Sequence, residues 1–270
     1  MSAPSKNENT STPENIVLLE KENAVAWVTM NRPESLNSLT AELCAALKTA
    51  LAECEADGDI RVVVLAGEGK AFCAGGDLRT ILELADYEAA RRYVRAAGEI
   101  TAAVTGSKKP YIAMVGGAAA GAGFNLALAC DFICASKRAK FTQAFSSIGL
   151  ISDCGGNFLL PRLVGPHAAK RLMMLPETLS AEAAQRLGLV SELADGEALR
   201  ERAAALAARL AKQPPLALAQ IKKLLNGGEE LADILRAEED IQAKLMIGED
   251  CKEGVRAFFE KREAAFKGRS

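Results

Sequence analysis

The chain has 270 residues, of which 49% are hydrophobic and 25% are charged, and its formal net charge is −2. These values are ordinary for a folded globular protein and argue against a chain that is disordered throughout. The net charge is slightly negative and no segment is rich in lysine or arginine, which argues against a nucleic-acid partner.

The N-terminal end divides into a polar tail and two strands. Residues 1–14 are rich in Ser, Asn, Thr and Pro and lack the apolar segment of a signal peptide, so we expect a disordered tail. Ile16–Leu19 and Ala24–Met30 are short runs rich in β-branched residues, which predicts two neighbouring strands. They would open an α/β core that spans residues 15–200.

The rest of this core alternates between helices and apolar strands. Thr40 can cap a first helix, in which Leu43, Leu47 and Leu51 recur at helical spacing. Strands follow at Val62–Ala66, Tyr111–Val115 and Phe132–Ala135, and helices at Arg79–Val104 and Gly121–Ala129. Such an alternation predicts βαβ units and a mainly parallel sheet covered by helices.

The composition changes after about residue 200. Four segments rich in Ala, Leu, Lys and Glu follow: Ala203–Ala211, Leu216–Leu225, Leu231–Ile247 and Gly254–Phe266. These residues favour helices, so residues 201–270 are predicted to form a helical C-terminal region packed on the core.

Asp153 is the one ionisable carboxyl group in the twenty-one residues from Phe141 to Pro161. Apolar neighbours remove water from a carboxylate and raise its pKa toward the range useful for proton transfer. Asp is also a favoured N-cap residue, so Asp153 could instead cap a helix that begins near Cys154 or Gly155. The local sequence alone leaves both roles open.

Two glycine-rich junctions, Lys70–Leu78 and Gly116–Gly123, lie between predicted strands and helices. Small residues at such a junction let a ligand approach the free N–H groups of the helix. The alternative is a pair of tight turns that allow close packing. Neither loop has the G-x-G-x-x-G spacing of a dinucleotide site.

Other residue types exclude several classes of protein. The seven cysteines are scattered without a C-x-x-C pair, which argues against a disulfide framework or a metal site and favours reduced thiols in a cytoplasmic protein. No apolar run reaches the ~18 residues of a membrane span. The single histidine, His167, follows a proline at a predicted helix start, where a surface or capping role is favoured over that of a hydrolase base.

Several stretches together resemble the crotonase, or enoyl-CoA hydratase/isomerase, family over roughly residues 15–268. They are Asn31–Ser38 (NRPESLNS), Ala71–Leu78 (AFCAGGDL), Gly117–Asp131 (GAAAGAGFNLALACD), Leu179–Ser191 and Glu253–Arg262. Ser38 stands in place of the usual Ala, and Ala122 in place of the usual Gly.

The resemblance implies a spiral of repeated ββα units with a helical C-terminal region that forms a homotrimer or a dimer of trimers. It implies an acyl-CoA thioester as substrate, with no cofactor apart from this coenzyme A and no metal. The backbone N–H groups of Ala74 and Ala122 would form an oxyanion hole for the thioester carbonyl. Substrate or CoA contacts are expected at Lys70, Ala71, Phe72, Gly75, Gly76, Asp77, Leu78, Gly121, Asn125, Phe145, Phe259 and Lys261. For Asp77, orientation of its loop is favoured over proton transfer.

The resemblance also narrows the chemistry. Hydratases of the family use two glutamates where this chain has Asn125 and Phe145, and neither side chain exchanges a proton at neutral pH. Asp153 resembles the base of 1,2-epoxyphenylacetyl-CoA isomerases and some enoyl-CoA isomerases, so we expect an isomerase that acts through a thioester enolate. The alternatives are a weak hydratase, an aryl-CoA dehalogenase with Asp153 as nucleophile, and a catalytically silent acyl-CoA-binding subunit.

Overall fold

The computed structural model describes residues 16–227, 249–250, 253, 257 and 260–268. The predicted tail at residues 1–14 and the predicted helix at residues 231–247 lie outside this part of the chain. In the described part, no helix is both long enough and apolar enough to span a membrane.

Ten strands form two sheets in the described part of the chain. In chain order they are β1 (Val17–Glu22), β2 (Val25–Met30), β3 (Val62–Gly67), β4 (Ala71–Cys73), β5 (Tyr111–Val115), β6 (Ala118–Ala120), β7 (Phe132–Ser136), β8 (Lys140–Thr142), β9 (Leu179–Ser180) and β10 (Glu192–Ala194). The larger sheet has the order β1-β2-β3-β5-β7-β10. Only its β1–β2 pair is antiparallel, so the predicted mainly parallel sheet is confirmed.

Nine α-helices connect and cover these strands in the same part of the chain. They are α1 (Ala41–Ala56), α2 (Leu78–Leu82), α3 (Tyr87–Gly106), α4 (Ala122–Ala129), α5 (Gly156–Val164), α6 (Pro166–Met174), α7 (Ala181–Arg186), α8 (Leu199–Ala211) and α9 (Pro215–Asn226). The Thr40 side chain accepts a hydrogen bond from Leu43 N, which confirms the predicted cap of α1.

The central strand β3 is buried on both faces, as its continuous apolar run predicts. Val63 and Leu65 point into a large core beneath the helices that include α1, α3 and α4. Val62 and Val64 point into a second core, which α8 covers. The helical region predicted from residue 201 therefore begins with a helix that packs directly on the sheet.

The second sheet has the order β4-β6-β8-β9, and its strands have only two or three residues. Sequence periodicity did not predict these strands, because so short a run carries no measurable alternation. Strands β4 and β6 are parallel neighbours. Their carboxyl ends therefore lie side by side, and each end lies within one of the two glycine-rich junctions.

Two helix predictions need correction. The expected single helix over Arg79–Val104 is two helices, because α2 ends at Leu82 and the Asp86 side chain caps the new helix α3. The expected helix over Gly254–Phe266 is too long. Glu260 is helical, but residues 261–268 are irregular, and Lys261 has a left-handed φ of 53°.

Candidate active site

The two glycine-rich junctions meet at the carboxyl ends of β4 and β6. A Cβ on Gly75 would lie 2.7 Å from Ala120 O and 3.3 Å from Ala122 N, so only glycine lets the first loop come this close. Gly75 also has a φ of 95°, which disfavours other residues. A Cβ on Gly123 would lie 2.2 Å from Cys73 O, so α4 packs equally tightly on β4.

The two predicted oxyanion donors differ in their hydrogen bonding. Ala122 is the first residue of α4, where a backbone N–H has no acceptor within its own helix and the helix dipole is positive. The N–H of Ala74 donates to the carbonyl of Leu36 at 3.0 Å. A thioester oxygen would have to share or displace that bond, so Ala122 is the better prepared of the two donors.

Asp77 orients the first loop. Its Oδ1 accepts from Thr80 N at 2.9 Å, which caps α2, and its Oδ2 accepts from Ser38 Oγ at 2.9 Å. The hydrogen bond from the Thr80 backbone is the main cause that lowers the pKa of Asp77. A carboxylate held ionised in this way is a poor proton donor, which supports the orienting role. The serine that replaces the usual alanine at position 38 supplies one of these bonds.

Tyr93 holds the same loop from α3, and sequence reasoning missed it. Its hydroxyl accepts from Asp77 N at 2.7 Å and donates to Leu39 O at 2.7 Å. Burial raises the pKa of the phenol to about 12, and the charge of Asp153 adds to this effect. Tyr93 therefore fastens the first loop to the segment that contains Leu39. Its partner Leu39 is 54 residues away in the sequence, so local patterns give no signal for this contact.

Asp153 lies in a turn before α5, and its side chain does not cap that helix, so the alternative role as an N-cap is wrong. The helix begins at Gly156, and its N-cap residue is Gly155. Cys154 and Gly155 both have left-handed φ angles, 45° and 75°, which turn the chain between Asp153 and the helix. Only the backbone carbonyl of Asp153 contacts the first turn, where it accepts from Gly156 N at 2.8 Å.

The carboxyl group of Asp153 is half-buried and poorly satisfied. Burial raises its pKa, and a hydrogen bond with the Cys154 side chain offsets this in part. Within the described part of the chain, Oδ1 is buried and has no hydrogen-bond partner. Unsatisfied buried carboxylate oxygens are rare in structural positions and are typical of functional groups. The pKa direction is the one expected of a group that exchanges protons.

Asn125 is completely buried on α4, one turn after Ala122. Its Nδ2 donates to Ser152 Oγ at 2.9 Å and to Asp153 O at 2.8 Å, and its Oδ1 accepts from Gln143 Nε2 at 2.7 Å. With these bonds the amide has no free donor. The predicted substrate contact at Asn125 is therefore not supported, because the side chain lies behind the Asp153 loop and holds it.

Phe145, at the position of the second family glutamate, begins a short 3-10 turn, and its ring lies 3.6 Å from the position of a Cβ on Gly121. It also lines a cavity of ≈240 Å³ beside the Asp153 loop. Four of the other lining residues are apolar, Leu150, Ile151, Met173 and Met174, and four are polar, Gln143, Ser146, Ser152 and Asn157. The cavity lies next to Asp153 along the chain and has the polarity expected of an acyl pocket.

The other residues that were predicted to contact substrate or CoA are spread over several parts of the structure. Lys70 and Lys261 are exposed, and Leu78 is 57% exposed on α2. Ala71 and Phe72 are buried in β4, so only their backbone could face a ligand. Gly76 and Gly121 belong to the two converging loops, whereas Phe259 lies outside the described residues.

The single histidine does not join the site. His167 is exposed in the first turn of α6, directly after Pro166. Among the described residues, no three His, Cys, Asp or Glu side chains are grouped closely enough to hold a metal ion. The six described cysteines are free thiols.

Comparison with known proteins finds similar sequences along most of the chain. A model of the enoyl-CoA hydratase/isomerase family matches residues 20–269. The chain is 40% identical over 258 residues to the 1,2-epoxyphenylacetyl-CoA isomerase of Escherichia coli (strain K12), covering 94% of this chain and 98% of that protein. It is 39% identical over 257 residues to a probable enoyl-CoA hydratase of Rhodobacter capsulatus, covering 91% and 95%.

A solved structure agrees with the fold. An enoyl-CoA hydratase from Polaromonas sp. JS666 superposes with a TM-score of 0.89 at 35% sequence identity, covering 93% of this chain and 99% of that one. The mixed α/β architecture of the described residues is therefore that of the same family.

Proposed function

The chain belongs to the enoyl-CoA hydratase/isomerase family, and we propose that within it the protein is an acyl-CoA isomerase with Asp153 as its acid/base. The observation that carries the proposal is the buried, unsatisfied Oδ1 of Asp153 on a loop attached to α4, the helix that presents the Ala122 N–H. A base and an oxyanion donor thus lie on two connected elements.

The proposed reaction moves one proton. The carboxylate of Asp153 removes a proton from C2 or C4 of the acyl chain, and the electron pair flows to the thioester oxygen to form an enolate. The N–H of Ala122, with Ala74 if its bond to Leu36 is exchanged, would stabilise that negative charge. The protonated Asp153 then returns the proton at the other carbon. The double bond moves, substrate and product have the same atoms, and the reaction needs no metal or cofactor beyond the CoA of the substrate.

A ring epoxide of an aromatic acyl-CoA is a second substrate for the same groups. The similar isomerase from Escherichia coli is named for 1,2-epoxyphenylacetyl-CoA. The apolar side chains around the cavity, among them Phe145, Ile151 and Met173, suit an apolar or aromatic acyl group. We propose that the substrate carries an apolar or aromatic acyl group and that the protein forms a trimer or a dimer of trimers.

Hydration is the second candidate, because the probable enoyl-CoA hydratase is almost as similar as the isomerase. Addition of water by the family route uses two carboxyl groups, and Asn125 and Phe145 supply neither. We therefore expect hydration of crotonyl-CoA to be absent or very slow.

The test is a panel of enoyl-CoA thioesters assayed for double-bond migration, with hydration of crotonyl-CoA measured in parallel. Asp153→Asn should abolish migration while acyl-CoA binding, followed by calorimetry, is retained. Unchanged turnover in this variant would refute the mechanism. Binding without turnover in the unaltered protein would instead identify a silent acyl-CoA-binding subunit.

A further inference from the structure

The loop that carries Asp153 is held by three buried polar side chains, and we propose that Asn125, Gln143 and Ser152 form a positioning network that requires an amide at residue 125. The proposal rests on the acid/base role of Asp153. In this proposal Asn125, which stands where the hydratases of the family have their first glutamate, holds the Asp153 loop in position. It is then more than the replacement of a lost catalytic group.

The three side chains form a closed ring of hydrogen bonds. Gln143 Nε2 donates to Asn125 Oδ1 at 2.7 Å, Asn125 Nδ2 donates to Ser152 Oγ at 2.9 Å, and Ser152 Oγ donates to Gln143 Oε1 at 3.3 Å. All three residues are at most 7% exposed. Each donor meets an acceptor, so the ring fixes the orientation of both amides.

One hydrogen of the Asn125 amide remains after the ring is closed. It points to the backbone carbonyl of Asp153, with an Nδ2–O distance of 2.8 Å. This bond joins α4 directly to the residue proposed as acid/base. Because α4 also presents the Ala122 N–H, Asn125 couples the position of the base to that of the oxyanion donor.

A carboxylate cannot replace this amide. Glutamate or aspartate at residue 125 could accept from Gln143, but an ionised carboxyl group has no hydrogen to donate to Ser152 Oγ or to the Asp153 carbonyl. An aspartate oxygen in the place of Nδ2 would face that carbonyl oxygen at hydrogen-bonding distance, which is repulsive, and glutamate would add a methylene group to a fully buried position. This loop conformation and a carboxylate at residue 125 are therefore mutually exclusive.

The backbone carbonyls on either side of Asp153 also accept hydrogen bonds from side chains. Ser152 O accepts from Asn157 Nδ2 at 2.6 Å, and Cys154 O accepts from Thr101 Oγ1 at 3.1 Å. The loop thus holds two consecutive left-handed residues, Cys154 and Gly155, at a conformational cost that these bonds offset. A rigid support of this kind is what a single acid/base needs to reach two carbons.

The decisive variant is Asn125→Leu, which keeps the approximate size of the side chain and removes all its hydrogen bonds. We expect kcat for double-bond migration to fall about 100-fold with KM nearly unchanged, because the base is displaced while binding surfaces remain. The acidic limb of the kcat profile should move to lower pH as Asp153 becomes hydrated. A purely structural role would reduce stability without moving this limb.

Ser152→Ala gives a milder test if the first variant folds poorly. It opens the ring but leaves the bond from Asn125 to the Asp153 carbonyl, so we expect about a tenfold loss of kcat. Ser136→Ala is the matched control, since Ser136 is a buried hydroxyl in β7 that bonds only to Arg138 N within the described residues. Its kcat should not change.

Asn125→Glu tests the exclusion of a second carboxylate. We expect loss of isomerase activity and no hydration of crotonyl-CoA. Retained isomerase activity together with new hydration would overturn the proposal, as would full activity and an unmoved pH profile in Asn125→Leu. If Asp153→Asn is itself active, the proposed function fails. If it is inactive while Asn125→Leu is normal, only the positioning network fails.

Discussion

The Tyr93 hydroxyl accepts a hydrogen bond from the backbone N–H of Asp77 at 2.7 Å and donates to the carbonyl of Leu39 at 2.7 Å. One phenol on α3 thereby fixes the loop beside the proposed oxyanion donors. Tyr93→Phe should lower kcat by about tenfold, because two bonds are lost and the loop loosens. Steady-state rates with an enoyl-CoA substrate and hydrogen exchange at Asp77 would measure the effect.

Tyr87→Phe is the control for this experiment. Tyr87 is 76% exposed at the start of the same helix, so its hydroxyl should not affect the site. Equal rates for Tyr93→Phe and the unaltered protein, with unchanged exchange at Asp77, would show that the phenol does not support the loop.

The activity should depend on pH through Asp153. In the proposed mechanism only the ionised carboxyl can accept a proton from the substrate, and burial raises the pKa of Asp153 above the ordinary Asp value of ~3.9. The rate should therefore fall as pH decreases through this raised pKa, at a higher pH than an exposed aspartate would give. The Cys154 thiol lies beside this carboxyl, and burial raises the pKa of that thiol and of the Tyr93 phenol, so both stay neutral in that range.

Cys154→Ala sharpens this test. The hydrogen bond between the Cys154 side chain and the carboxyl of Asp153 opposes the rise in the pKa of Asp153. Its removal should move the acidic limb of kcat to higher pH. Asp153 would not be the titrating base if the acidic limb of kcat lies at the same pH in Cys154→Ala and in the unaltered protein. The same conclusion would follow if both proteins lose activity at the pH expected of an exposed aspartate.

Asp153→Asn should stabilise the protein while it abolishes turnover. A carboxyl whose pKa is higher in the folded state than in the unfolded state favours folding when it is protonated, and this contribution is lost as pH rises through the folded-state pKa. The neutral amide avoids that loss. The free energy of unfolding should exceed that of the unaltered protein by roughly 0.5–2 kcal/mol at neutral pH.

Denaturant unfolding at acidic and neutral pH would measure this difference. The gap between the two proteins should close at low pH, where Asp153 is protonated in both states. A variant that is less stable than the parent at neutral pH would contradict the picture of a desolvated, unsatisfied carboxyl group.

Much of the framework could be predicted from the sequence, because it depends on local patterns. The apolar run at Val62–Ala66, the cap at Thr40 and the two glycine-rich junctions each carry a local physical signal that the structure confirms. Asp153 stood out for the same reason, as a single acid in a long neutral stretch.

The details of the site could not be predicted, because they depend on contacts between distant parts of the chain. Asn125 bonds to residues 18 to 28 positions away, and Tyr93 bonds to Leu39. The alternative role of Asp153 as a helix cap is wrong because Cys154 adopts a left-handed φ, which a non-glycine residue rarely does and which sequence patterns do not foresee.

The N–H of Ala122 can be removed without removing its helix. Ala122 is the first residue of α4, a position where proline is well tolerated because the N–H has no partner within the helix. Ala122→Pro should lower kcat by about 10²- to 10³-fold, the usual cost of losing one oxyanion donor. Ala122→Gly, which restores the residue usual in the family, should keep its activity. Circular dichroism and rates for both variants would separate loss of the donor from loss of the fold.

Gly156, the first residue of α5, packs directly against the positioning network of Asn125, Gln143 and Ser152. A Cβ there would lie 2.2 Å from Ser152 Oγ and 2.4 Å from Asn125 Nδ2, so one methyl group must displace the ring. Gly156→Ala should destabilise the protein by about 1–3 kcal/mol and reduce kcat, because overpacking moves the loop that carries the base. Gly58→Ala is the matched control, since a Cβ at Gly58 meets nothing within 4 Å. Thermal unfolding and kcat for the two variants should diverge; if Gly156→Ala matches Gly58→Ala in both, the ring tolerates displacement and does not fix Asp153.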